Sequence, residues 1–180
     1  MGNLNARLSR SVQVRIANRE EAERITTVIN SAFRRAEEFF IDGDRINVET
    51  VLHFLDTGEF LLAESEGTLL GCVYVESRPL HDGRPQTHGE ERAYLGLLAV
   101  DPGHQQTGLG SVLMDAAEDY CRRQGARFMD IKVVNLRKEL PAYYHRRGYI
   151  ETGTSPFPTD LETKLPVHFI DMSKPLHDDK

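Results

Sequence analysis

Apolar and polar residues first alternate along the chain at Val12-Gln13-Val14-Arg15-Ile16, the period of a half-buried strand. Asn18 stands where a helix N-cap belongs, and Glu20 opens an acidic first turn. Ala22, Ile25, Val28, Ile29, Ala32 and Phe33 then recur at helical spacing. Glu37 to Asp44 is acidic and aromatic. Asn47 caps a second predicted helix, with Val48, Val51, Leu52 and Leu55 on its inner face and Gly58 as its stop. Phe60–Ala63 and Leu69–Val75 read as strands joined by the short turn Ser65-Glu66-Gly67. Ser77–Glu91, with two prolines, two glycines and two histidines (His81 and His88), reads as a long polar loop. Ala93–Val100 is a strongly apolar strand. A glycine-rich turn after Asp101-Pro102 opens an amphipathic helix to about Gln124, whose predicted buried stripe is Leu109, Val112, Leu113, Ala116, Tyr120 and Cys121. Phe128–Val134 is the next strand, Glu139–Arg147 a short helix ahead of Gly148, and Tyr149–Thr152 and Val167–Met172 the last strands.

The helix between the fourth and fifth strands implies a parallel pair, because a crossover connects them, whereas the hairpins imply antiparallel pairs. The expected fold class is α/β, with a central mixed sheet of about six or seven strands flanked by about four helices. At 180 residues the chain fits a single domain, expected over 12–172. Residues 1–11 would form a loosely attached start and 173–180 a polar tail.

Charge and cysteine content narrow the function classes. Lys plus Arg number 22 against 28 Asp plus Glu, a net charge of −6. That balance argues against a general nucleic-acid binder, which carries a basic excess. Cys72 and Cys121 make neither a disulfide framework nor a zinc site, and no histidine pair has metal-ligand spacing, so no metal is expected. No window reaches the roughly 18 apolar residues that span a bilayer, so no membrane partner is expected. Met1-Gly2 is not followed by Ser or Thr at position 6, so the myristoylation pattern fails. A reduced, cytoplasmic location is the expectation.

The richest stretch is Leu97 to Ser111. A buried strand meets a turn with Gly108 and Gly110, and a helix opens at once. Free backbone N–H groups gather at such a helix start, where the helix dipole favours negative charge. Glycines let an anion approach the backbone closely, and Gln105, Gln106 and Thr107 add uncharged donors. The ligand group this predicts is a phosphate or pyrophosphate. No Lys follows Gly110, which excludes a Walker A loop, and the third glycine of the dinucleotide fingerprint is absent. A tight strand–helix joint without a ligand is the rival reading of two glycines alone.

Val100-Asp101-Pro102 followed by Gln105-x-x-Gly108-x-Gly110 resembles motif A of the GNAT superfamily of N-acetyltransferases. About 35 residues on, Ala142-Tyr143-Tyr144-His145-Arg146-Arg147-Gly148-Tyr149 resembles its motif B. The order of elements matches as well, over roughly Val12 to Met172. The resemblance implies a GNAT-like fold and acetyl-CoA as acyl donor. Its pyrophosphate would lie on Gln106, Thr107, Gly108, Leu109 and Gly110, with Gln105 and Ser111 nearby. Leu98, Ala99 and Val100 would offer backbone groups to the pantetheine arm. Tyr144 matches the family tyrosine that protonates the departing thiolate, and free values of roughly 8.5 for a thiol and 10 for a phenol nearly balance that transfer.

The sequence departs from the family pattern at two places. The asparagine that often helps hold CoA falls at Arg137, with Asn135 two residues earlier and Lys138 next to it. The strand-four glutamate that often serves as base falls at Tyr94, leaving Glu91 and His168 as candidate bases. Arg137, Lys138, Arg146 and Arg147 also form a basic group near motif B, suited to CoA phosphates. For the acceptor, the resemblance points to the first helices and late strands. There Phe33 and Glu37, with Glu38, Phe39, Phe40, Asp42 and Asp44, would make an acidic, aromatic rim for a cationic amine; Tyr94 and His168 are further substrate candidates. The expected activity is transfer of acetyl to a primary amine by direct attack, on a small molecule or a peptide. The rival is an acyl-CoA sensor that keeps the fold without catalysis. A homodimer is compatible with either.

Overall fold

The computed structural model describes residues 12–77 and 91–176. Residues 1–11, expected to be loose, the last residues of the expected tail (177–180), and His81 and His88 lie outside the described residues. In chain order the elements are β1 (Gln13–Ile16), α1 (Ala22–Glu37) after a short 3-10 turn, α2 (Val48–Thr57), β2 (Glu59–Ser65), β3 (Thr68–Ser77), β4 (Arg92–Val100), α3 (Leu109–Arg123), β5 (Phe128–Val134), α4 (Glu139–Arg146), β6 (Ile150–Pro156) and β7 (His168–Pro175). The seven strands form one sheet in the order β1-β2-β3-β4-β5-β7-β6. Only the β4–β5 pair is parallel, as the helical crossover requires; every other neighbouring pair is antiparallel.

The two faces of the sheet are covered separately. On one, α3 buries Leu109, Leu113, Met114, Ala117 and Cys121 against Leu61, Val73, Leu95, Ile131 and Met172. The expected Val112 is instead 41% exposed. Leu109, Leu113 and Ala117, four residues apart, share a line with Met114 and Cys121, and Val112 falls beside that line. On the other face, α1 and α2 pack Ile25, Ile29 and Val51 on Phe60, Leu62, Cys72 and Tyr74. A third, smaller cluster joins Phe40 and Ile41 to Val134 and Phe157, so the α1–α2 and β6–β7 connections close over the end of the sheet.

Local chemistry explains the joints. The β2–β3 turn places Glu66 and Gly67 at φ 50° and 77°, the paired positive angles of a tight hairpin. Asn47 Oδ1 accepts from the Thr50 N–H at 2.8 Å and caps α2. The last strand runs to Pro175 and Leu176 is buried, so part of the expected tail belongs to the sheet. The β5–β7 register explains this, because Phe128 pairs with Pro175. No helix among the described residues is long and apolar enough to cross a membrane.

Near the start of α1, Glu21 accepts from Arg15, and the Asn18 N–H donates to it at 2.9 Å. The hydrogen bond from Arg15 holds the Glu21 carboxyl down at about 2, and Arg15 also bonds Glu64 of β2. A group depressed in the folded state adds stability above its ordinary carboxylate value and loses it as pH falls towards the folded one. Denaturant titrations of the wild type are therefore expected to lose midpoint between roughly pH 5 and 2, and Glu21→Gln to flatten that part of the profile. An unchanged profile in the variant would remove Glu21 from the acid response.

Candidate functional site

The β4–β5 pairing runs from Arg92↔Phe128 to Leu95↔Ile131 and stops, although both strands continue. Gly96–Val100 and Lys132–Val134 therefore diverge, and a cavity of about 1300 Å³ opens between them. The cause lies in β4. Cys72 of β3 pairs with Ala99 and Tyr74 with Gly96, so Val73 faces two residues, Leu97 and Leu98. That is a β-bulge, and Leu97 adopts φ 49°, which a leucine rarely does. The bulge bends β4 and leaves backbone groups of Leu97 and Leu98 on the β5 side without a ladder partner. Gly96 is the residue that fits here: a Cβ would lie 2.7 Å from the Tyr94 hydroxyl.

Beyond the splay, Asp101 accepts from the Gly103 N–H and faces His104 Nδ1, both at 3.0 Å. This closes the turn and holds His104 against Asp101. Gln105 donates to the Val100 carbonyl at 3.3 Å and Thr107 to the His104 carbonyl at 2.6 Å. Gln106 and Gly108 both take positive φ, and Gly108 ends the loop as the N-cap of α3. The first bond within α3 is from Val112 N–H to the Gly108 carbonyl, so the N–H groups ahead of it face outward. A Cβ at Gly108 would meet nothing within 4 Å, and one at Gly110 only Val100 at 4.0 Å. Side-chain-free space thus lies over free N–H groups at a helix start, an arrangement that suits an anion. Ser111 Oγ lies 3.4 Å from the Tyr143 hydroxyl, which brings α4 alongside this helix start.

Tyr144 lines the cavity from α4. Its ring packs edge-on to Tyr143 at 5.1 Å and Tyr149 at 5.8 Å. Behind it, buried Glu118 of α3 accepts from the Tyr149 hydroxyl at 2.9 Å and Lys174 at 2.7 Å, with Arg147 at 3.7 Å, so the α4–β6 connection and β7 are both bolted to α3. Burial pushes the Tyr144 hydroxyl up to about 12. It therefore keeps its proton at neutral pH. The near balance expected from free values is not met by the phenol alone, but a thiolate in the same enclosed space is raised by the same loss of water.

Several expectations are corrected. Glu91 is exposed and lies outside the cavity lining, at the paired end of β4, where its carbonyl accepts from Arg127 and Phe128. His168 is exposed and also outside the lining. Its N–H donates to Asn135 Oδ1 at 2.9 Å and its carbonyl accepts from the Asn135 N–H, so these two residues tie β5 to β7. Of the alternatives, Arg137 lines the cavity, bonded to Glu139 at 2.6 Å, while Lys138 and Arg146 are exposed. Phe33 and Tyr94 line the cavity, and so does Glu37, but Glu37 is not on an open rim. One helical turn beyond Phe33 on the same face, it is only 4% exposed and sits 3.3 Å from Arg45. Burial pushes its carboxyl up, against the pull of Arg45 and Arg137. Arg45, Asn30 and the Leu97 bulge went unnoticed in the sequence. The first two stand in ordinary polar surroundings there, and a bulge leaves no periodic signature.

Among the described residues no group of His, Cys, Asp or Glu could hold a metal. A family model described as "Acetyltransferase (GNAT) family" matches residues 21–149. Among curated proteins, the mycothiol acetyltransferase of Cellulomonas flavigena is 29% identical over 100 residues, covering 56% of this chain and 29% of that protein. The streptothricin acetyltransferase of Streptomyces lavendulae is 28% identical over 98 residues, covering 54% and 47%. The chain thus spans less than half the length of these relatives. Among solved structures, a Salmonella typhimurium protein with its cofactor acetyl-CoA superposes with TM-score 0.68 at 18% identity, covering 94% of this chain and 96% of that one. A GNAT-family acetyltransferase of Staphylococcus aureus Mu50 gives 0.67 at 21% identity, covering 93% and 100%. With its splayed parallel pair, its glycine-built helix start and a family match over most of its length, this chain belongs to the acetyltransferase (GNAT) family.

Proposed function

We propose that the protein transfers the acetyl group of acetyl-CoA to a primary amine. The observation that carries this reading is the cavity between β4 and β5, which joins an anion cradle at one end to the Tyr144 hydroxyl. Acetyl-CoA supplies an acetyl group activated as a thioester. The Gly108–Ser111 helix start holds its pyrophosphate. The unpaired backbone of Leu97 and Leu98 offers N–H groups where charge develops on the acyl oxygen. The amine attacks directly, forming the N–C bond as the C–S bond breaks. Tyr144 gives its proton to the sulfur, and the proton lost by the amine passes to water. Both cysteines are buried, and burial pushes the Cys72 thiol far up and the Cys121 thiol up to about 12, so neither is an available nucleophile.

The test is release of free CoA from acetyl-CoA by purified protein across a panel of amines. Release that depends on an added amine, with the acetylated product identified by mass, supports the transfer. Tight acetyl-CoA binding with no amine-dependent release would leave a binding protein and sink it.

A further inference from the structure

We infer that the acceptor carries an anionic group beside its amine, in the manner of a small α-amino acid, and that Arg45 and Glu37 are the paired receptor for its two charges. This rests on the acetyl-transfer reading. The Glu37 and Arg45 side chains are 5% and 14% exposed, and both line the cavity. Their facing atoms, Glu37 Oε2 and Arg45 Nε, are buried and make no well-aligned hydrogen bond.

The pair is held for the purpose rather than folded away. Asn30 accepts from the Arg45 and Ile46 N–H groups at 3.0 and 3.1 Å and donates to the Ile46 carbonyl at 2.9 Å, which fixes the Arg45 backbone. The guanidinium lies against the rings of Phe33 and Phe157, at 5.9 and 5.1 Å. Its Nε lies 3.3 Å from Glu37, and the terminal nitrogens have no hydrogen-bond partner among the described residues. A fixed planar fork with free donors is suited to a carboxylate.

The charges around the pair argue against a purely cationic acceptor. Glu37 is already matched by Arg45, and Arg137, from the β5–α4 connection, acts on it as a second cation. Of the other charges on the lining, Asp44 is bonded to Arg34, Lys132 to Asp171, and Arg137 to Glu139, while Asp160 comes from the β6–β7 connection. A bare ammonium would add positive charge to a neutral pair, whereas a zwitterion satisfies both partners. The wall outside the pair is also tied shut. Lys164 bonds the Glu38 carbonyl and Asp42, its N–H donates to Phe40, and Ile41 pairs with Thr163. That closure favours a small acceptor over an extended peptide.

The experiment compares α-amino acids with their methyl esters and decarboxylated amines as acceptors, in the wild type, Arg45→Lys, Arg45→Gln and the double variant Glu37→Gln/Arg45→Gln. The wild type is expected to prefer amino acids by about 100-fold in kcat/KM, and Arg45→Gln to lose that preference with acetyl-CoA affinity unchanged. The double variant leaves no buried unpaired charge, so it answers the question if the single variant fails to fold. Esters or simple amines accepted as well as amino acids by the wild type, or a preference surviving in the double variant, would overturn the inference. Calorimetry of amino acids on the CoA-loaded protein separates the two readings. Binding without any acetylation supports the receptor and overturns the transfer, and acetylation of amines that lack an anion does the reverse.

Discussion

Tyr144→Phe is expected to lower kcat by about 100-fold or more while acetyl-CoA affinity stays within about twofold. The ring of Tyr144 is held edge-on between Tyr143 and Tyr149, and phenylalanine keeps those contacts. Only the hydroxyl is lost, and with it the proton destined for the departing sulfur. Burial already keeps that hydroxyl protonated up to about 12, so Tyr144 sets no alkaline limb below that, and the defect should be flat across pH 6 to 9. Thermal melting should be nearly unchanged. Steady-state kinetics with calorimetric acetyl-CoA binding make the check. Wild-type turnover in the variant would remove Tyr144 from the chemistry, and a large fall in affinity would make it a cofactor contact instead.

The second large effect has opposite signs in two measurements. Gly110→Asp is expected to hold or raise thermal stability while weakening acetyl-CoA binding by about 100-fold, or nearly 3 kcal/mol. Gly110 lies in the first turn of α3, where an acid complements the helix dipole and replacing glycine removes backbone freedom from the unfolded chain. A side chain there meets only Val100, at 4.0 Å, so the fold has room for it. That same room is the proposed cradle of the pyrophosphate, where a carboxylate would meet like charge and occupy the approach to the free N–H groups. A variant that melted higher and still bound acetyl-CoA normally would move the anion site away from this helix start.

How far the sequence could be read differs from element to element, for physical reasons. Strands and helices were legible because their burial is periodic. Ile25, Ile29 and Phe33 mark one face of α1, and Leu109, Leu113 and Cys121 one face of α3. The same periodicity places Glu37 one turn beyond Phe33, yet its charge suggested a rim. Only the packing of the α1–α2 connection against Phe157 and Val134 turns that position inward. The glycine-built helix start was legible because it is local: two glycines and a helix start a few residues apart contain it. How far Glu91 and His168 lie from the cavity was not legible, because it depends on where β4 separates from β5, and the bulge that sets that point leaves no periodic signature. Glu91 stands at the paired end and the cavity at the splayed end.

By itself the sequence determined the order of elements, the parallel crossover pair, the glycine-built start of α3 and Tyr144 in its helix. Each follows from residues close in the chain, through backbone geometry and side-chain periodicity. Only the tertiary structure decided the bulge that sets Leu97 at positive φ, the point where β4 and β5 part, and the burial of Glu37 against Arg45. Those features depend on contacts between segments remote in sequence. In this protein they include the Glu37–Arg45 wall of the cavity, so the glycine-built helix start could be read from the chain and that wall emerged only on folding.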